Sequence, residues 1–431
     1  MRMNDIHDAT HESIFDFNKL KVNHPEYLFA TKENPPKCGK WSAVDYGHDE
    51  IRKLAFEYVK EVCCNYNIDG IELDFCRHKM FFKKTSQGIP AGNEELEQMT
   101  GLIRRIRKMT EEVALERNKP ILLAIRIPDS LEYNKIIGLD IETWLAEGLV
   151  DIMVTGDSLQ FNTFEYSVNL AHKYGVKIYP CLSAVWIKDE EDRDDSEYKR
   201  KLVANNVVQA NYIYKWSYTR NSLECYRARA MNAWCSGADG IYMFNFTNPY
   251  SPVWKELGDP EILKNLDKVY VASVLGLGPA PGKNCPEYDF INIPTVNPQA
   301  PLKLTPGVKQ NIEIFIGDDV NCNCNANDDN NGKNYENHFP ANIECSISLY
   351  ARVSKLDKSD DITVKVNDIE MVNGIMEENQ VVYKLVKEFI KQGQNNIEIM
   401  AKKYFAELRD LKIYISYSKY TQDNNMKDKH I

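Results

Sequence analysis

One pattern constrains this chain more than any other: short apolar, β-rich runs alternate with longer stretches whose apolar residues recur at helical spacing. The runs are Trp41–Tyr46 (WSAVDY), Ile68–Phe75 (IDGIELDF), Ile121–Ile127 (ILLAIRI), Val150–Asp157 (VDIMVTGD), Val176–Ser183 (VKIYPCLS) and Asp239–Phe246 (DGIYMFNF). Between them lie the helical patterns Asp49–Asn65, Glu94–Arg117, Phe161–Tyr174 and Ser222–Ser236. Strands that alternate with helices pair in parallel, because each crossover returns the chain to the same end of the sheet. Runs this continuously apolar fit strands covered on both faces.

With the opening segment MRMN the runs make seven strands, a count compatible with an open doubly wound sheet or a closed barrel. The glycine fingerprint of a dinucleotide site follows none of them, which removes the commonest reason for the open sheet. Acidic residues stand instead at or just past strand ends: Asp5, Asp45, Asp74, Asp129 and Asp157. The expected fold is therefore α/β, a (β/α)8 TIM-type barrel over residues 1–274 that lacks its first βα unit and begins at its second strand. Such a barrel carries two open strand edges, one beside MRMN and one beside DGIYMFNF.

Residues 275–306 are rich in Pro and Gly and read as a surface linker. Short alternating segments follow at Ile312–Ile316, Ile343–Val353, Ile362–Val366, Val381–Leu385, Asn396–Ala401 and Leu411–Tyr417, separated by Asp, Asn and Gly turns. They predict a β-sandwich over 307–420, either a carbohydrate-binding module or a brace for the barrel, ahead of a polar tail at 421–431. Tyr383–Ile390 also fits a helical turn. The Asn-rich loop 321–337 fails as a calcium loop: with Gly332 as its sixth residue, His338 falls where a bidentate Glu is required.

The formal charge of −10 and the absence of a long basic run argue against a nucleic-acid partner. No apolar stretch is long enough to span a membrane, and MRMNDIHDATHES lacks the apolar core of a signal peptide. Eleven scattered cysteines without paired zinc-ligand spacing read as free thiols. His7, His11 and His78 have no ligand-defining spacing, so neither metal nor cofactor is expected.

The chemistry lies at the strand ends. Along IDGIELDF the apolar Ile71, Leu73 and Phe75 take one face, so Glu72 and Asp74 share the other and point into the barrel mouth. Parity turns Arg126, Thr155 and Asp157 inward too, together with Arg2, Asn4, Asp45 and Asn245. Glycoside hydrolysis needs one ionised and one protonated carboxyl. Asp74 beside Arg126 suits the ionised role, with Asp157 or Asp129 as the acid; Glu72 serves either as part of the site or as a structural partner of an arginine. Tyr46, Phe81, Phe82 and Trp186 follow strand ends, where flat aromatic faces stack on pyranose rings, and Arg77 and His78 adjoin the site.

In this order MRMNDIHD, KWSAVDYG, DGIELDFCRHKMFF and DIMVTGDS resemble the glycoside hydrolase-like family 10 proteins, bacterial barrel proteins, over roughly Met1 to Val274. The resemblance implies a carbohydrate-active site at the end of the fourth strand, a following β-sandwich module, and export. Asp74 also stands where α-amylase-like enzymes carry their nucleophile, four residues before His78, although Glu72 replaces their arginine. VKIYPCLS has no carboxylate where other barrel glycosidases place a nucleophilic Glu on strand seven. The leading expectation is a glycosidase acting on an oligo- or polysaccharide, with Asp5 and His7 lining the site. The alternatives are a non-catalytic carbohydrate-binding scaffold and a metal-dependent lyase or aldolase using Asp5, His7 and Asp74.

Overall fold

The computed structural model describes all residues except 2, 4–18, 77, 157–159, 183–221, 245, 247–248, 273–288, 294–295, 297–300, 322–344, 378–379 and 418–431. Contacts group the chain into two compact units, one of Met1–Val185, Ser236–Asn245 and Leu275–Ile293, the other of Trp186–Cys235, Phe246–Val274 and Pro294–Ile431.

The first unit is built as β-then-α repeats. Helix α1 (Asp49–Asn65) buries Ile51, Ala55, Val59 and Cys63, a stripe at four-residue spacing, and carries Asp49 and Glu50 at its dipole-positive start. Strand β1 (Gly70–Asp74) leads to α2 (Asn93–Arg117), which buries nine residues including Met99, Leu102, Ile103 and Ile106. Glu95 reaches back to the Gly92 N–H at 2.6 Å, and Asn118 ends the helix in the left-handed region (φ 50°). Then come β2 (Leu122–Ile127), α3 (Leu131–Ile136), α4 (Ile141–Ala146), β3 (Ile152–Thr155), α5 (Phe164–Lys173) and β4 (Lys177–Pro180).

The four strands pair in chain order, all parallel, with Asp74 opposite Arg126 and Arg126 opposite Val154. Two further segments flank them. Met3 N–H donates to Asp74 O and Asp74 N–H to Met1 O, the bonding of a parallel ladder. Beyond β4, Tyr242 forms a parallel bridge with Cys181, its N–H donating to Pro180 O at 3.0 Å. In a flat sheet, the four strand spacings from β1 to the Tyr242 segment add to about 19 Å, far beyond a tyrosine's reach. Tyr242 Oη nevertheless lies 3.0 Å from Glu72 Oε1 on β1. The sheet therefore curls until its first strand and last segment face each other across its concave side.

The strand expected at 41–46 is not part of this sheet. Val44 makes an antiparallel bridge with Leu28, while Phe29 and Ala30 N–H groups donate to Ala43 and Trp41 carbonyls. A local contact thus takes the backbone groups that a parallel neighbour would need, and Met1 and Met3 bond directly to β1 instead.

In the second unit, α6 (Leu223–Cys235) precedes β5 (Lys268–Val271), β6 (Leu302–Leu304), β7 (Gln310–Ile316), β8 (Cys345–Ser354), β9 (Ile362–Val366), β10 (Ile369–Glu370), β11 (Ile375–Glu377), β12 (Gln380–Leu385), β13 (Gly393–Ala401) and β14 (Ala406–Tyr417). The antiparallel sheets run β10-β9-β13-β7 and β11-β12-β8-β14-β5, with β6 also on β14. Alternate residues of both sheets, such as Ile312, Leu349, Val364, Ile397 and Ile413, enter one apolar core. After β12 a 3-10 turn covers Lys387–Phe389, so the ambiguous 383–390 stretch is a strand end followed by a turn. Residues 268–271, adjoining the sequence-expected boundary at 274, pair antiparallel with β14 (Ile413 opposite Tyr270).

Candidate active site

At the C-terminal end of β1 and β2, Arg126 is fully buried and its Nη1 lies 3.2 and 3.3 Å from the two Asp74 oxygens. Its Nη2 donates to Gly156 O at 3.5 Å, and the Phe244 ring centroid sits 3.9 Å from its Cζ. A guanidinium removed from water needs such neighbours: a carboxylate for its charge and an aromatic face for its plane. Asp74 also accepts from the Cys76 N–H at 2.9 Å, and the Cys76 thiol donates to Gly156 O at 3.8 Å.

Glu72 lies two residues earlier, on the same concave face. Its Oε1 accepts from Tyr242 Oη at 3.0 Å, and it is only half-buried. Its pKa is raised: burial disfavours the charged form and Asp74 adds to this, outweighing the phenol and Arg126, which act in the other direction. The Tyr242 phenol is pushed far above its ordinary value, first by burial and then by the Glu72 charge, so it stays an O–H donor.

Asp129 is not free to serve as an acid in the same way. Its carboxylate accepts the Phe161 N–H at 3.1 and 3.2 Å and the Asn162 N–H at 3.0 Å, while its own carbonyl accepts from Asn162 Nδ2. Burial raises its pKa to about 6 against the pull of those amides. It ties the loop after β2 to the segment after β3. Asp45 likewise is a loop cap, accepting from Gly47 and Lys83 N–H groups at 2.9 and 3.1 Å, and is not directed from a strand into the sheet's concave side.

Tyr46, Phe81 and Phe82, expected as sugar-facing aromatics, are buried. Tyr46 donates its hydroxyl to Met3 O and meets Phe81 edge-on; Phe81 in turn packs on Phe75, and Phe75 on Trp144. Their apolar area is spent on the core, which corrects the stacking role. His78 is half-buried. Arg2, Asn4, Asp5, His7, Arg77, Asp157, Trp186 and Asn245 lie outside the described residues.

No protein-family model matches the sequence, and no curated protein matches it. The solved structures it is similar to include glycoside hydrolases. One is a family 18 N-acetylglucosaminidase from Paenibacillus barengoltzii, at 15% identity and TM-score 0.30, covering 46% of this chain and 72% of that one. A multi-modular cell-surface chitinase from a Paenibacillus species matches at 12% identity and TM-score 0.34, covering 82% of this chain and 40% of that one. A chitinase from Bacillus thuringiensis matches at 12% identity and TM-score 0.32, covering 83% and 76%. The likeness is to glycoside hydrolases at large, and at these TM-scores it carries no residue role across.

Sequence reasoning missed Tyr242 and Phe244. Parity in DGIYMFNF points to Asn245 as the inward residue, whereas the groups meeting Glu72 and Arg126 come from the opposite parity. The available signal was compositional: an aromatic at every second position, Tyr242, Phe244 and Phe246, in a run expected to end at a polar rim. The completed cluster offers one ion-paired carboxylate and one carboxyl with raised proton affinity, side by side.

Proposed function

We propose that the protein is a glycoside hydrolase acting on an oligo- or polysaccharide, with Asp74 and Glu72 as its working carboxyl pair. The observation that carries this reading is the contrast between two neighbours on one strand face. Asp74 is ion-paired to a buried arginine, while Glu72 is shifted toward its protonated form. A glycosidic bond breaks when one group protonates the leaving oxygen and another supplies negative charge or activates water at the anomeric carbon. On this reading Glu72 is the proton donor, in place of the Asp129 or Asp157 expected earlier, and Asp74 the nucleophile or base. Residues two apart on a strand have Cα atoms about 6.6 Å apart. That spacing is compatible with the roughly 5–9.5 Å between carboxyl groups that retaining and inverting mechanisms use. The curled parallel sheet is read as the wall of a (β/α)8 barrel, with the two antiparallel sheets as an accessory glycan-binding module.

One observation favours the alternative of a carbohydrate-binding protein without catalysis: Asp74 is buried and already accepts from Arg126 and the Cys76 N–H. Reducing-sugar release from a glycan panel separates the two. The wild-type chain is expected to release sugar, and Asp74→Asn and Glu72→Gln each to lose about 100-fold or more in kcat while still binding the glycan. Binding without release by the wild type would leave the binding protein; equal release by all three would place the chemistry on residues other than this pair.

A further inference from the structure

We propose that Tyr242 and Phe244 are the positioning residues of this site: Tyr242 fixes the orientation in which Glu72 gives up its proton, and Phe244 fixes the arginine that holds Asp74. This rests on the hydrolase reading above. Both residues come from one short segment whose backbone is pinned against β4: Tyr242 N–H donates to Pro180 O at 3.0 Å, and its carbonyl accepts from Leu182 N–H at 3.0 Å. The segment delivers a hydroxyl to one carboxyl and a ring to the partner of the other.

The hydroxyl has a directional consequence. Because Tyr242 donates to Oε1 of Glu72 at 3.0 Å, the proton that Glu72 transfers rides on Oε2. Balanced over a cycle, that O–H bond breaks as the leaving oxygen gains the proton, and an incoming water restores it; Tyr242 itself neither gains nor loses one. A donor into Oε1 also favours the carboxylate, opposing burial, so Tyr242 keeps Glu72 able to release its proton. Among the described residues, the other charged or titratable groups acting on Glu72 include Asp74 on its own strand, Arg126 on β2 and the Met1 amine, which donates to its backbone carbonyl.

Tyr242→Phe keeps the ring and deletes only the hydroxyl. The Glu72 carboxyl, followed by carbon-13 NMR of glutamate-labelled full-length protein, is expected to titrate at higher pH in the variant than in the wild type. The alkaline limb of kcat/KM is expected to move up with it, while kcat falls about tenfold. Phe244→Leu is expected to lower kcat while moving that limb less than Tyr242→Phe does, because it reaches Glu72 only through the more distant charge of Arg126. An unmoved Glu72 titration in Tyr242→Phe overturns the proposal even where the wild type hydrolyses glycans. A wild type that releases no sugar defeats the hydrolase reading instead, with the titration still deciding whether Tyr242 governs Glu72.

Discussion

Asp129 and Asp239 belong to the same unit, and their surroundings move them in opposite directions. Asp129 is pushed up to about 6 by burial, which its amide partners only partly offset. Asp239 feels burial too, but Lys177 at 2.6 Å, His172 at 2.9 Å and the Ile178 N–H outweigh it and hold the carboxyl at about 2. Linkage gives opposite signs. The folded state binds the Asp129 proton more tightly than the unfolded chain does, so this contribution is full below about pH 4 and is lost as pH rises through about 6. Its size is on the order of 3 kcal/mol. Asp239 contributes above about pH 4 and loses its contribution as pH falls through about 2. Urea unfolding of Asp129→Asn between pH 4 and 6 is expected to lack the downward slope that the wild type shows there; the same slope in both would refute the assignment. The sequence revealed a carboxylate just past a strand end. It could not reveal that amides 32 and 33 residues away, Phe161 and Asn162, already claim its oxygens.

At the scale of elements, α6 and the end of β7 approach each other closely in the second unit. Asn232 on the helix donates to Phe315 O at 3.1 Å and accepts the Gly317 N–H at 2.8 Å. A Cβ on Gly317 would stand 2.6 Å from Met231 O, a backbone atom that cannot swing away. Gly317→Ala must push the helix off the sheet, and a loss of about 2–3 kcal/mol is expected from overpacking and the broken Asn232 bonds. Gly258→Ala, where nothing lies within 4 Å, is the matched control and is expected to change stability little. Equal unfolding midpoints for the two variants would mean that the contact is loose. Most elements were legible from periodicity: α1 runs over the Asp49–Asn65 that the apolar spacing marked, and β9 over Ile362–Val366. Pairing was less so. Period alone does not distinguish WSAVDY, which meets Leu28 in an antiparallel bridge, from a parallel strand, because both bury alternate side chains.

The whole molecule is interleaved along its chain, and this bears on where it can be cut. A boundary after residue 274 is what composition suggests, since the Pro- and Gly-rich stretch begins there. The contacts run otherwise. Strand β5 pairs along its length with β14, Tyr270 on it is buried, and Ala228 of α6 lies in the same core as Ile312 and Leu411. On the other side of the cut, Phe290 packs against Tyr133, and Asn292 N–H donates to Phe161 O at 2.7 Å, so residues after 274 also serve the first unit. A fragment ending at 274 would keep β5 and α6 without their sheet, exposing an unpaired strand and apolar faces at once. Expressed alone, residues 1–274 are expected to bind a hydrophobic dye and to sediment as aggregates under conditions where the full chain does neither. A monodisperse fragment unfolding at the midpoint of the first unit in the full chain would show that the sequence-drawn boundary is the physical one. Composition marks where a chain becomes loop-like, whereas the burial of Tyr270 and the pairing of β5 depend on partners more than 130 residues further on, which no local window of sequence contains.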